Sequence, residues 1–174
     1  MSQAISAPMS EDDHHFVMIP LSQGKFTIVD AADAEMILGM GKWCAIRAPR
    51  TYYAVRNEGI PQRRVYMHAL IAGFKRPDHV NRNGLDNRRV NLRPATASQN
   101  NANRGPGQRG TSRYKGVCWD KNRRKWRAYV GVNRRAVYLG LFDDPEDAAR
   151  AYNQAALLTF GEYAWLNPVS PLPS

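Results

Sequence analysis

Cysteine is almost absent from this 174-residue chain. Cys44 and Cys118 stand far apart, too few for a thiolate zinc site or a disulfide framework, so both are expected as reduced thiols in a cytoplasmic setting. Long apolar runs are missing as well, and none approaches the roughly 18 to 20 residues of a membrane-spanning helix. The first thirteen residues are polar and acidic rather than signal-like, so the expectation is an intracellular protein, neither secreted nor held in a membrane. Acid is also scarce in one region. Between positions 104 and 135 eleven Lys and Arg residues face a single acid, Asp120, so this segment accounts for the whole formal net charge of +10.

Charge concentrated in this way is a footprint for a polyanion. A membrane surface would call for a basic amphipathic helix, whereas this segment alternates at strand period. Duplex DNA is therefore the expected partner, with no membrane and no small-molecule cofactor. The length accommodates two small domains. Positions 104–112, with three glycines, one proline and two arginines, read as a linker that lies along phosphates. The expected organisation is a disordered leader at 1–15, a first domain at 16–104, the linker at 105–112, a second domain at 113–167 and a tail at 168–174.

In the first domain, short apolar segments at 16–21 and 26–29 flank a turn signal, and a short helix is expected at 33–38. Strand-like segments at 43–47, 52–56 and 64–67 lead into a helix at 67–72. The next segment holds a carboxylate, an imidazole and carboxamides at separated points: Asp78-His79, Asn91-Leu92-Arg93 and Thr96 to Asn100. An isolated His after Asp is usually an exposed turn residue, and Asn-rich runs usually cap themselves. Here four positions fall in register. In order and spacing they resemble the HNH endonuclease family, phage-type homing enzymes in the variant whose third letter is Asn. The resemblance implies a ββα-metal motif in which Asp78 and Asn100 bind one Mg²⁺ or Mn²⁺, neutral His79 is the general base, and Asn91 fixes its loop. Met67-His68 upstream is similar to a pair that often precedes this motif, although His68 suits a structural role equally well.

In the second domain three strands are expected at 114–120, 125–132 and 136–141, with a helix after them. Trp126, Ala128, Val130 and Val132 alternate with Lys125, Arg127, Tyr129 and Gly131, which separates an apolar face from a basic one. Asp144-Pro145 announces the helix and Gly161 its end. Ala148, Ala149, Tyr152, Ala155, Ala156 and Thr159 form a small-residue stripe that allows close approach to a sheet. The strings Tyr114-Lys115-Gly116-Val117, Lys125-Trp126-Arg127-Ala128, Tyr138-Leu139-Gly140 and Ala148 to Ala156, with Phe160 to Asn167, resemble the plant ethylene-response-factor (Apetala-type) DNA-binding domain. In that family a three-stranded sheet lies in the major groove. The resemblance puts Lys115, Lys125, Arg127, Tyr129 and Tyr138 against DNA. Arg113, Trp119, Lys121, Arg123, Arg124, Arg134 and Arg135 join them as candidate contacts, with Trp119 suited either to stack on a sugar or to brace the first strand. Cys118, Asp120, Gly131 and Ala136 stand where the plant domains tend to carry arginines, so their base preference does not transfer.

Together the expectations are an α+β chain in which a small sheet with the HNH motif precedes a three-stranded antiparallel sheet packed on one helix. The expected function is a metal-dependent DNA endonuclease, a phosphodiester hydrolase that nicks duplex DNA as a monomer. The alternative is a non-catalytic DNA-binding transcription regulator or a decayed nuclease.

Overall fold

The structure, a computed structural model, describes residues 16–107 and 110–171. The expected leader at 1–15, Gln108 and Arg109 of the linker, and the last three tail residues lie outside the described residues. The fold is mixed α+β with several antiparallel sheets and a long C-terminal helix. It divides into two compact units, Met1–Arg93 and Pro94–Ser174.

In the first unit, β1 (Phe16–Pro20) pairs antiparallel with β2 (Phe26–Asp30). Period-two alternation turns Ile19, Thr27 and Val29 inward and leaves Phe16, Met18 and Phe26 exposed. Helix α1 (Ala31–Gly39) comes next, then a sheet in the order β3 (Cys44–Arg47), β4 (Tyr52–Glu58), β5 (Arg63–Tyr66). Helix α2 (Met67–Ala72) stops at Gly73, which adopts the left-handed conformation of a helix C-terminus. Strands β6 (Pro77–His79) and β7 (Leu92–Pro94) form the last pair. Ile19, Val29, Ile37, Trp43, Met67 and Ile71 make the core, and the buried Trp43 indole is satisfied by donating to Ile37 O at 3.0 Å.

The second unit contains α3 (Ala97–Asn103), a sheet in the order β10 (Arg135–Phe142), β9 (Lys125–Val132), β8 (Val117–Asp120), and helix α4 (Pro145–Phe160). Asp144 caps α4, accepting from the backbone N–H of Glu146 at 2.6 Å and Asp147 at 3.3 Å, with Pro145 in the first turn. The small-residue stripe of α4 buries Ala148, Ala149, Tyr152 and Ala156 against Val117, Ala128 and Val130, while Thr159 is exposed. Gly116, at φ +74°, is where α4 meets the sheet: a Cβ there would collide with the Tyr152 ring and the Tyr129 carbonyl.

The division between units falls ahead of the 105–112 stretch where the sequence suggests a break. Helix α3 is bonded to segments C-terminal to it. Trp165 N–H donates to Ala102 O at 3.0 Å, and the Lys115 ammonium donates to the carbonyls of Asn101 and Ala102 at 3.0 and 2.6 Å. Just ahead of the helix, Pro94 O accepts from the Tyr163 hydroxyl at 2.8 Å. Among the described residues no helix is long and apolar enough to cross a membrane.

Candidate nucleic-acid interface

The Asp78-His79 segment lies inside the first unit, where both residues are buried. The Asp78 carboxylate accepts from both Nε and a terminal nitrogen of Arg93 at 3.1 Å. His79 Nε2 meets Asn87 Oδ1 at 3.0 Å, so this nitrogen carries the proton. Asn87 Nδ2 in turn donates to Thr27 Oγ1 at 2.7 Å, and Thr27 donates to Leu85 O at 2.8 Å. Asn91 accepts from Asn81 N–H at 2.9 Å and donates to Asp86 O at 2.7 Å, so it ties residues 81 and 86 of one loop together. Asp86 also holds Arg88 at 2.7 Å, and this guanidinium keeps its carboxyl below the usual range. The four motif positions do not share a unit: Asp78, His79 and Asn91 are in the first and Asn100, half-buried on α3, is in the second.

Around His79 the arrangement is a hydrogen-bonded polar interior. Burial pushes His79 below its ordinary value, against the opposing pull of Asn87, Asp78 and Asp86. Burial, helped by nearby His79, brings His68 down to about 4. His68 Nδ1 is buried and makes no hydrogen bond, and its ring packs 5.1 Å from His79, 5.4 Å from Tyr53 and 5.3 Å from Tyr66. The expected Mg²⁺ or Mn²⁺ would draw on the Asp78 carboxylate and the Asn100 amide oxygen, and Oδ2 of Asp78 already accepts from Arg93. A hard divalent ion takes carboxylate oxygens, and the Arg93 guanidinium competes for one of the two that Asp78 offers. Among the described residues no group of three or more His, Cys, Asp or Glu is placed to hold a metal.

The second unit presents a different surface. Along β9 the side chains alternate as the sequence predicts: Ala128 and Val130 are buried, while Arg127, Tyr129 and Gly131 are exposed. Tyr129 sits opposite Tyr138, which is 59 % exposed, so the two phenols share the outer face with Arg127. Lys125 stands opposite Asp120 and pairs with Asp143 at 3.1 Å. At the β9–β10 turn Asn133 and Arg134 both have positive φ, the type I′ geometry that suits a two-residue hairpin, and Arg134 and Arg135 project into solvent. At the β8–β9 turn Asp120 accepts from the N–H groups of Asn122 and Arg123, each at 3.1 Å, and holds Arg123 at 3.2 Å. Asp120 therefore shapes the turn that exposes Lys121, Arg123 and Arg124.

A family model for the AP2 domain matches residues 112–161. Residues 112–161 are an AP2 domain. Two AP2-like ethylene-responsive transcription factors of Arabidopsis thaliana are similar to the chain. One is 47 % identical over 66 residues, covering 38 % of this chain and 20 % of the relative. The other is 40 % identical over 81 residues, covering 46 % of this chain and 23 % of the relative. APETALA2-like protein 2 of Oryza sativa subsp. indica is 43 % identical over 61 residues, 34 % of this chain and 14 % of that protein. The chain spans about a fifth of the length of the Arabidopsis relatives. No solved structure matches. These findings correct the enzyme assignment: the similarity is to transcription-factor DNA-binding domains, no nuclease family matches, and the expectation of an HNH endonuclease with a ββα-metal motif is withdrawn.

Within the AP2 domain, two expected contacts lie elsewhere than the outer face. Lys115 turns its ammonium onto the carbonyls at the end of α3. Trp119 stands opposite Trp126 on the face that carries Val117 and Ala128, and the two indoles meet edge to face at 5.1 Å. Arg113 donates to the Tyr114 hydroxyl at 2.6 Å and stands 3.6 Å from Glu146. The sequence reading missed Asn167. Its side chain accepts from Lys115 N–H at 2.7 Å and donates to Lys115 O at 3.0 Å, and its backbone exchanges hydrogen bonds with Asn153.

Proposed function

We propose that the chain is a non-catalytic DNA-binding protein of the transcription-regulator type, which lays the outer face of β8–β10 on duplex DNA. The observation that carries this reading is the clean separation of β9 into a buried apolar face and an exposed face bearing Arg127 and Tyr129, inside an AP2 domain. The major groove admits a β-ribbon, with exposed Arg and Lys supplying salt-sensitive affinity and a few side chains reaching base edges. In this reading the polar interior around His79 orders the 80–91 loop and has a structural role. The test is binding of the full chain to a randomised duplex pool, and then affinity for the selected site over a salt series. The reading requires a steep salt dependence and a preferred site. Equal, weak retention of all sequences refutes site recognition.

A further inference from the structure

The second unit holds a cleft of about 730 Å³ between α3 and the sheet. Ala97, Ser98 and Asn101 of α3 line one side, and Tyr129, Gly131 and Arg134 line the other. None of the described residues lining it is acidic. Strand register explains the opening. β8 covers β9 only from Lys125 to Ala128, and on that side the last bond runs from Tyr129 N–H to Gly116 O at 2.9 Å. In an antiparallel pair, backbone groups of alternate residues point to the same edge. Gly131, two residues beyond Tyr129, therefore turns its N–H and C=O away from β10 and toward the cleft, and a Cβ there would meet nothing within 4 Å.

Tyr129, Gly131 and Arg134 belong both to this cleft and to the outer face of the sheet. We propose that the cleft seats the phosphate backbone of the duplex just beyond the base pairs under the sheet, making α3 a second DNA contact outside the AP2 match. This rests on the DNA-binding function proposed for the sheet. An exposed guanidinium, a serine hydroxyl and a backbone N–H are the donors that phosphate oxygens take. An acidic peptide could add to the β9 edge through little more than Gly131, which is short for strand addition. The Lys115 and Trp165 bonds to the end of α3 keep this wall in place before any ligand arrives.

The experiment uses the full chain, with Ser98→Glu and Asn101→Asp variants, on two duplexes sharing the selected site. One ends at the site, and the other extends about one helical turn beyond it at each end. The longer duplex should bind with a log–log salt slope steeper by about 0.9 for the further phosphate that Arg134 neutralises. Each variant should lose that increment and roughly tenfold affinity on the longer duplex alone, through like-charge repulsion. Glutamate in the first turn of a helix is favourable, so unfolding of α3 does not account for such a loss in Ser98→Glu, which is the deciding variant. Equal slopes for the two duplexes, or an equal loss on both, overturns the proposal. Capture of an oligoglutamate peptide that Ser98→Glu abolishes, without any effect of duplex length, assigns the cleft to acidic protein segments and overturns it too. Failure of the parent chain to bind either duplex is a different result, because it removes the DNA-binding function itself.

Discussion

In the first unit Arg88, Arg89 and Arg93 close on the buried carboxylates of Asp86, Asp33 and Asp78 at 2.7 to 3.1 Å. In the second, Arg124, Arg127, Arg134 and Arg135 remain exposed around the sheet. Both units are rich in arginine, yet the first uses these three to neutralise its own interior and the second turns these four outward. Net charge therefore describes a partner only after internal ion pairs are removed from the count.

The contrast is sharpest if one arginine is removed from each unit. Arg93→Ala leaves the buried Asp78 carboxylate without its guanidinium, which should cost about 3 kcal/mol or more of stability. Chemical denaturation should show that loss in the first unit while duplex binding changes little. If binding to the selected duplex falls in parallel with no stability loss, Arg93 serves the ligand and the contrast between units breaks.

Arg127→Ala should do the reverse. Arg127 is exposed, and its short-range partner is Cys118 Sγ at 3.5 Å, so its loss should scarcely move the melting temperature. As a base reader it should cost roughly 1–3 kcal/mol on the selected duplex and little on a scrambled one. Equal losses on both duplexes would make it a phosphate clamp.

The limits of β9 and the cap of α4 were legible in the sequence, because alternation and Asp-Pro capping are local signals. The partners of Lys115, Trp119 and α3 were not. Each is placed by a tertiary partner: the α3 carbonyls for Lys115, Trp126 for Trp119, and Trp165 with Tyr163 for α3. The Asp78 to Asn100 pattern misled for a related reason. Residue types at a given spacing cannot reveal that Asp78 meets Arg93.

Acid should separate the units next. All four histidines precede Pro94, and His68 and His79 sit where burial lowers their values. A histidine lowered in the folded state takes up its proton on unfolding, so stability is complete above the unfolded value near 6.5 and falls as pH drops toward the folded value. With His68 at about 4, moving from pH 7 to 5 should cost the first unit about 2 kcal/mol from this residue alone. The second unit has no histidine and should hold its stability over that interval. His68→Phe should flatten the profile of the first unit, and an unchanged slope in that variant would place the acid sensitivity elsewhere.

Lys125 should give the smallest effect. It lies at the entrance of β9, partly exposed, with Asp143 at 3.1 Å. An exposed pair of this kind contributes about 0–1 kcal/mol, so Lys125→Ala should leave folding nearly unchanged. On DNA the ammonium is expected to position the backbone as a point charge, because it lacks the planar fork of a guanidinium. Its removal should weaken binding by a similar factor on selected and scrambled duplexes and shorten the log–log salt slope by about 0.9. A Lys125→Arg variant should restore that slope without sharpening site preference. Site-selective loss on Lys125→Ala would move base reading to the end of the strand and strip Arg127 of its central role. No change in slope would mean that Asp143 keeps this ammonium for itself, as Asp78 keeps Arg93, and would bring the first unit's pattern onto the second unit's surface.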